Sequence, residues 1–117
     1  MRLLICAGRY YADTRRCHRV LDAYLRIRPV TVLIHGGSQF LGSALEDWAR
    51  DAGVDVVRYP PNWKLHGKQA ERQRNHFMLK DSRPEVVIAL PGAEDTRELV
   101  AQARAAGVHV LTVDTEA

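Results

Sequence analysis

Short apolar runs alternate with longer amphipathic stretches along the whole chain. Leu3 to Ala7, Val30 to Ile34, Val54 to Tyr59, Val86 to Leu90 and Val108 to Val113 are near-continuous apolar or β-branched runs. Such runs predict five strands covered on both faces, because a strand with one wet face would alternate polar and apolar positions. The stretches between them predict helices over about Thr14 to Arg26, Leu41 to Ala52, Gln69 to Lys80 and Thr96 to Ala106. The second is the clearest, since Leu41, Ala44, Leu45, Trp48, Ala49 and Ala52 recur at helical spacing and form one stripe. Asp13 fits an N-cap, and Gly53 and Gly107 stand where helix-ending glycines belong.

Strand and helix in strict alternation imply right-handed βαβ crossovers and a parallel sheet with helices on both faces. The expected fold is α/β, a single Rossmann-like three-layer α/β/α domain over residues 1–117 with a five-stranded parallel sheet in the order 3-2-1-4-5. That order places the topological switch point between the first and fourth strands, where open α/β sheets bind ligands outside the strand C-termini. The loops Gly8 to Asp13, His35 to Gly42 and Pro91 to Thr96 are therefore the candidates for chemistry.

Composition narrows the class of protein. With 46% hydrophobic and 26% charged residues, the chain reads as one soluble globular unit and not as a disordered, collagen-like or coiled-coil sequence. The leading apolar run from Leu3 to Ala7 is short and is followed at once by Arg9 and Asp13, so neither a secretion signal nor a membrane span is expected. Two cysteines, Cys6 and Cys17, without metal-ligand spacing suit a reducing, cytoplasmic setting and a packing role. The five histidines show no paired ligand spacing, so no metal is expected, and no cofactor either. A net charge of +3 favours an anionic partner without identifying it.

Following that charge along the chain localises it. Between Trp63 and Arg83, six cations (Lys64, Lys68, Arg72, Arg74, Lys80, Arg83) face two anions (Glu71, Asp81), a local excess larger than that of the whole chain. Arg74 shares the inward face of its helix with Ala70, Phe77 and Met78, and an inward arginine must be paired, either with a structural carboxylate or with a ligand anion. The other cations of the run read as a solvated face. Asn75, His76 and Trp63 offer hydrogen bonds or a stacking surface nearby.

The loops offer complementary groups. Gly8, Arg9 and Tyr11 leave the first strand with a turn, a forked cation and an aromatic hydroxyl. Gly36, Gly37 and Ser38 follow the second, where paired glycines before a helix let backbone N–H groups converge on an anion. Pro91 and Gly92 follow the fourth and lead to Thr96, but Glu94 and Asp95 between them repel phosphate unless their side chains point away. Asp95 capping the helix, with Glu98 closing a capping box, accounts for those carboxylates without a ligand.

Taken together, these loops resemble the SLOG superfamily of Rossmann-like nucleotide-binding proteins, and most closely its YspA-like branch. The resemblance spans nearly the whole chain and rests on Gly8-Arg9 with Tyr11 and Asp13, His35-Gly36-Gly37, Trp48-Ala49, Pro61-Asn62-Trp63, Arg74-Asn75 with Met78, and Pro91-Gly92 with Thr96. It implies a pocket for a nucleotide or nucleotide-derived ligand at the strand C-termini, in a homodimer or larger homo-oligomer. The related Lonely Guy enzymes are phosphoribohydrolases, whose motif pairs an arginine and a methionine with Pro-Gly-Gly-x-Gly-Thr-x-x-Glu. Arg74, Met78, Pro91, Gly92 and Thr96 match it, whereas Ala93 and Asp95 replace the later glycines, Leu99 stands at the catalytic glutamate and Glu98 is one position away. Phe40-Leu41-Gly42 replaces the Gly-Ala-Asp of the YspA-like pattern.

Three functional classes follow. The first is a non-catalytic binding module for a small nucleotide-derived ligand, using Gly8, Arg9, Tyr11, Gly36, Gly37, Ser38, Trp63, Arg74, Asn75, Pro91, Gly92 and Thr96. The second is an N-glycosidase acting on nucleoside monophosphates, with Arg74 and Glu98 as candidate catalytic residues and Glu94 or Asp95 as the other carboxylates that would have to take the acidic role. The third is weak single-stranded nucleic-acid binding by the basic segment.

Overall fold

A computed structural model of the chain describes residues 1–92 and 94–113; Ala93, set against a family glycine above, and residues 114–117 lie outside the described residues. The apolar runs become strands Arg2–Cys6 (β1), Val32–His35 (β2), Asp55–Arg58 (β3), Val86–Ala89 (β4) and His109–Thr112 (β5). All are parallel, in the order β3-β2-β1-β4-β5. β1 is central, with Leu3 opposite Leu33 on one side and Val86 on the other.

The helices are Thr14–Ile27 (α1), Gly42–Ala52 (α2), a short Trp63–His66 (α3), Ala70–Ser82 (α4) and Glu94–Ala105 (α5). Asp13 caps α1 by accepting the Arg16 N–H at 3.0 Å, as its side chain and position predict. Gly53 ends α2 in the left-handed conformation. On one face of the sheet, Cys17 and Leu21 of α1 and Leu45, Trp48 and Ala49 of α2 cover Leu3, Ile5 and Leu33. On the other, Met78 and Leu79 of α4 and Leu99 and Ala103 of α5 cover Leu4, Ile34 and Val87. No helix among the described residues is long and apolar enough to cross a membrane.

Four expectations need correction. Burial on both faces holds for the central strands, but β3 and β5 are largely exposed. Two helices per face lie over the middle of the sheet and cover its edges only in part, with Val56 and Leu111 half-buried against one core and Val110 against the other. Phe77 does not face inward: it is 57% exposed, because Ala70, Asn75, Met78 and Leu79 are the residues α4 buries, and its ring meets the Tyr59 ring edge-on at 5.8 Å. The stretch before α4 is not plain loop. Asn62 caps α3 by accepting the Leu65 N–H at 3.0 Å, and Gly67–Gln69 form a 3-10 turn, though neither piece buries a residue. Asp95 is already inside α5 and so cannot cap it, and Glu98 reaches Arg72 at 3.6 Å instead of closing a capping box.

The difference between centre and edge has a measurable consequence. Leu4, fully buried in β1, should lose about 2–5 kcal/mol on substitution by alanine. Val57, 39% exposed on β3, should lose less than about 1 kcal/mol in Val57→Ala. Urea denaturation midpoints of the two variants compare them directly.

Candidate functional site

A cavity of about 240 Å³ opens at the C-terminal ends of β1 and β2, walled by the β2–α2 loop on one side and by α4 and α5 on the other. Parallel strands and short βα loops put the ends of β1 and β2 side by side, and the crossover after β3 brings α4 over them. The volume suits part of a small ligand and is below the ~300–1,000 Å³ of sites that enclose a whole drug-sized molecule.

Arg74 forms the inner wall. Its Nη1 donates to the carbonyl oxygens of Gly36 (2.6 Å) and Tyr59 (3.2 Å), and its Nε donates to the side chain of Asn75 (2.7 Å). The protein partners of Arg74 are not a structural carboxylate: the backbone carbonyls at the ends of β2 and β3 and the Asn75 side chain hold it. Among the described residues no carboxylate comes within ion-pair reach, although Glu71 and Asp95 act on it electrostatically from further off. Burial lowers its pKa from the ordinary value, and those carboxylates and Cys6 oppose the shift. Arginine stays cationic through such changes.

The β2–α2 loop is shaped by His35, the last residue of β2 and only 1% exposed. Its Nδ1 accepts the Gly37 N–H at 3.0 Å, so the ring proton must sit on Nε2, which donates to Glu46 at 3.0 Å. The ring thus does the work of a backbone turn. Gly37 has φ +77°, which favours glycine. Gly36 is required for a different reason, since a Cβ there would lie 2.2 Å from Arg74 Nη1.

Arg9 and Glu71 join the β1–α1 loop to α4 by a close ion pair. That pair raises the Arg9 pKa, chiefly through the hydrogen bond to Glu71. The Arg9 backbone N–H donates to Asp95 Oδ2 at 2.8 Å, while Asp95 Oδ1 accepts the Thr96 N–H at 2.8 Å. Beside these contacts, the Gly8 N–H donates to the Pro91 carbonyl at 2.9 Å. A Cβ at Gly92 would fall 1.9 Å from Thr96 Oγ1. The loops at the β1–β4 switch point are therefore sewn together, and the cavity lies beside that seam.

Of the residues singled out from sequence, Arg9, Gly36, Gly37, Ser38, Trp63, Arg74, Asn75 and Thr96 line the cavity. Gly8, Tyr11, Pro91 and Gly92 line a separate, more open hollow with Arg9. The Tyr11 hydroxyl is buried and has no hydrogen-bond partner among the described residues. Glu98 lines neither hollow. Lys64, Lys68, Arg72, Lys80 and Arg83 are exposed, which fits a solvated face. Cys6 and Glu71 were not assigned to the site from sequence, and His35 and Asp95 only as members of candidate loops or, for Asp95, as a carboxylate for the hydrolytic alternative; all four line the cavity. Glu71 carries a signal that was available, because it precedes Arg74 by one helical turn. Burial pushes the Cys6 thiol up to about 12, so it is uncharged and a poor nucleophile at neutral pH. No cluster of three potential metal ligands occurs among the described residues.

Residues 1–66, from β1 through α3, match the model of the YspA, cpYpsA-related SLOG family. No curated protein matches the chain.

The environment of His35 sets a pH dependence. Burial lowers its pKa below the ordinary value of 6.5, outweighing Glu46, which raises it, while Arg58 and Arg74 lower it further. The folded state therefore prefers the neutral ring. Its contribution to stability is complete above pH ~6.5 and is lost as pH falls below that value and the unfolded chain takes up the proton. Between pH 7.5 and 5.5 the urea midpoint should drop, and His35→Gln, less stable at pH 7.5, should show a smaller drop. An equal drop in both proteins would contradict this role.

Proposed function

The chain belongs to the YspA, cpYpsA-related SLOG family, and from that membership together with the cavity at Arg74 we propose that it binds a small nucleotide-derived ligand there. The observation that carries this reading is the state of Arg74. A guanidinium in the wall of a cavity, anchored by carbonyls on one edge and with no carboxylate of the described residues in ion-pair reach, presents its remaining N–H groups to an incoming anion. Its anchors also fix its direction, so little side-chain entropy is lost on binding.

The surrounding groups take complementary roles. Gly36, Gly37 and Ser38 let a ligand approach the backbone of the β2–α2 loop, and Ser38 Oγ accepts the Leu41 N–H at 3.3 Å, which holds that loop against α2. Trp63, 51% exposed on α3, offers a flat face at the rim for a base. Arg9 stands opposite, tied to Glu71. The hydrolytic alternative lacks a carboxylate at the glutamate position, where Leu99 is found; of its other candidates Glu98 meets Arg72, Glu94 turns outward to Arg97, and Asp95, which does line the cavity, accepts the N–H groups of Thr96 and Arg9.

A thermal-shift and calorimetric screen of nucleosides, nucleoside 5′-monophosphates and 3′,5′-cyclic monophosphates tests the proposal. At least one compound should raise the melting temperature, with a stabilisation of ~2.7 kcal/mol at a hundredfold excess over Kd. In Gly36→Ala the new methyl displaces the Arg74 guanidinium, and affinity should fall at least about tenfold with the fold intact. No free base should appear in the incubations. Release of base by the wild type, absent in Arg74→Ala, would establish the hydrolase reading in its place.

A further inference from the structure

We propose that Asp95 is an internal anion that sets the charge of the ligand, excluding a phosphomonoester and admitting a nucleotide derivative whose acidic group carries a single charge, a phosphodiester. This deepens the reading of the Arg74 cavity and rests on it.

The argument starts at the first turn of α5. The N–H groups there have no partner within the helix, and they and the helix dipole make such a turn attractive to a phosphate. Here a carboxylate of the chain itself has taken that place. Asp95 Oδ1 accepts the Thr96 N–H and Oδ2 accepts the Arg9 N–H, both at 2.8 Å, so one side chain takes a donor from the first turn of α5 and another from the β1–α1 loop. Asp95 does not point away: it lines the cavity that Arg74 lines. Glu94, one residue earlier, does turn outward, where its carboxylate pairs with Arg97 at 2.9 Å.

The charge balance of the walls points the same way. Arg9 and Arg74 line the cavity, and so do Glu71 and Asp95, so the two cations face two anions in about 240 Å³. Arg9 is already paired with Glu71. What is left is Arg74 against Asp95, a set of net charge zero: a ligand monoanion that pairs with Arg74 brings it to −1 and a dianion to −2, so the second charge finds no cation of its own and meets the Asp95 carboxylate. At pH 8 a phosphomonoester is a dianion, its second pKa being ~6. A phosphodiester is a monoanion at the same pH, and a nucleoside is neutral.

The test compares 5′-monophosphates with 3′,5′-cyclic monophosphates of the four common bases by calorimetry at pH 8. The wild type should bind the cyclic form of its preferred base at least about tenfold tighter than the 5′-monophosphate. Asp95→Asn removes the charge while keeping the shape, and should bring the two affinities within about threefold by strengthening the monoester. Asp95→Gly, which also frees the Thr96 and Arg9 N–H groups, should favour the monoester; circular dichroism and melting curves verify that each variant is folded. A wild type that prefers the monoester overturns the role of Asp95 and leaves ligand binding at Arg74 standing, as does a preference unchanged in both variants. Failure of every protein to bind any compound overturns both.

Discussion

A guanidinium withdrawn from water must be surrounded by acceptors, and the arrangement around Arg74 is the constraint on which the upper half of this molecule depends. The carbonyls of Gly36 and Tyr59 end two neighbouring strands, and both accept from one nitrogen of a helix that reaches the sheet only after the long crossover from β3. The contact therefore aligns the ends of β2 and β3 with α4. It also dictates that residue 36 carry no side chain. Removing the cation would take a donor from the half-buried carbonyls of Gly36 and Tyr59, which water can reach in part, and from the buried Asn75 side chain, where an unsatisfied oxygen costs ~1–3 kcal/mol.

The strand order was legible because a buried parallel strand announces itself as an unbroken apolar run, and alternation with helices leaves few topologies. Centre and edge were less plainly marked, though a signal was present: Val54 to Tyr59 carries the charged Asp55 and Arg58 where Val86 to Leu90 carries none, and β3 has a neighbour on one side only and is mostly exposed. Phe77 misled for a related reason: helical spacing places it near Arg74, but the contact with the sheet is narrow enough that one position decides between core and surface.

The site was legible in outline and not in its wiring. Arg74, Gly36 and Gly37 were recognisable from residue type and place, since only an arginine on an apolar seam and a glycine pair at a strand end have those meanings. The partners of Arg74 were not, because every residue carries a carbonyl and the sequence says nothing about which two converge. Asp95 shows the same limit. A carboxylate in the first turn of a helix has a sufficient local explanation in the dipole, and only the approach of the Arg9 N–H, 86 positions earlier in the chain, reveals that it bridges two loops. His35 was readable as a loop residue, whereas its bond to Gly37 depends on the ring lying flat beneath the turn it shapes.

The contrast between the two sides of the cavity bears on how long a ligand would stay. The seam of β1 and α5 is tied by backbone contacts from Gly8, Arg9 and Leu90, so that wall is preorganised. The opposite rim, α3 with its 3-10 turn, buries none of its residues and is anchored chiefly by the Asn62 cap. Segments with so little buried area open at a small fraction of the global unfolding free energy. Encounter would therefore be governed by the stiff wall, and residence time by the soft one: changes around Trp63 would alter dissociation while leaving the rate of arrival almost untouched.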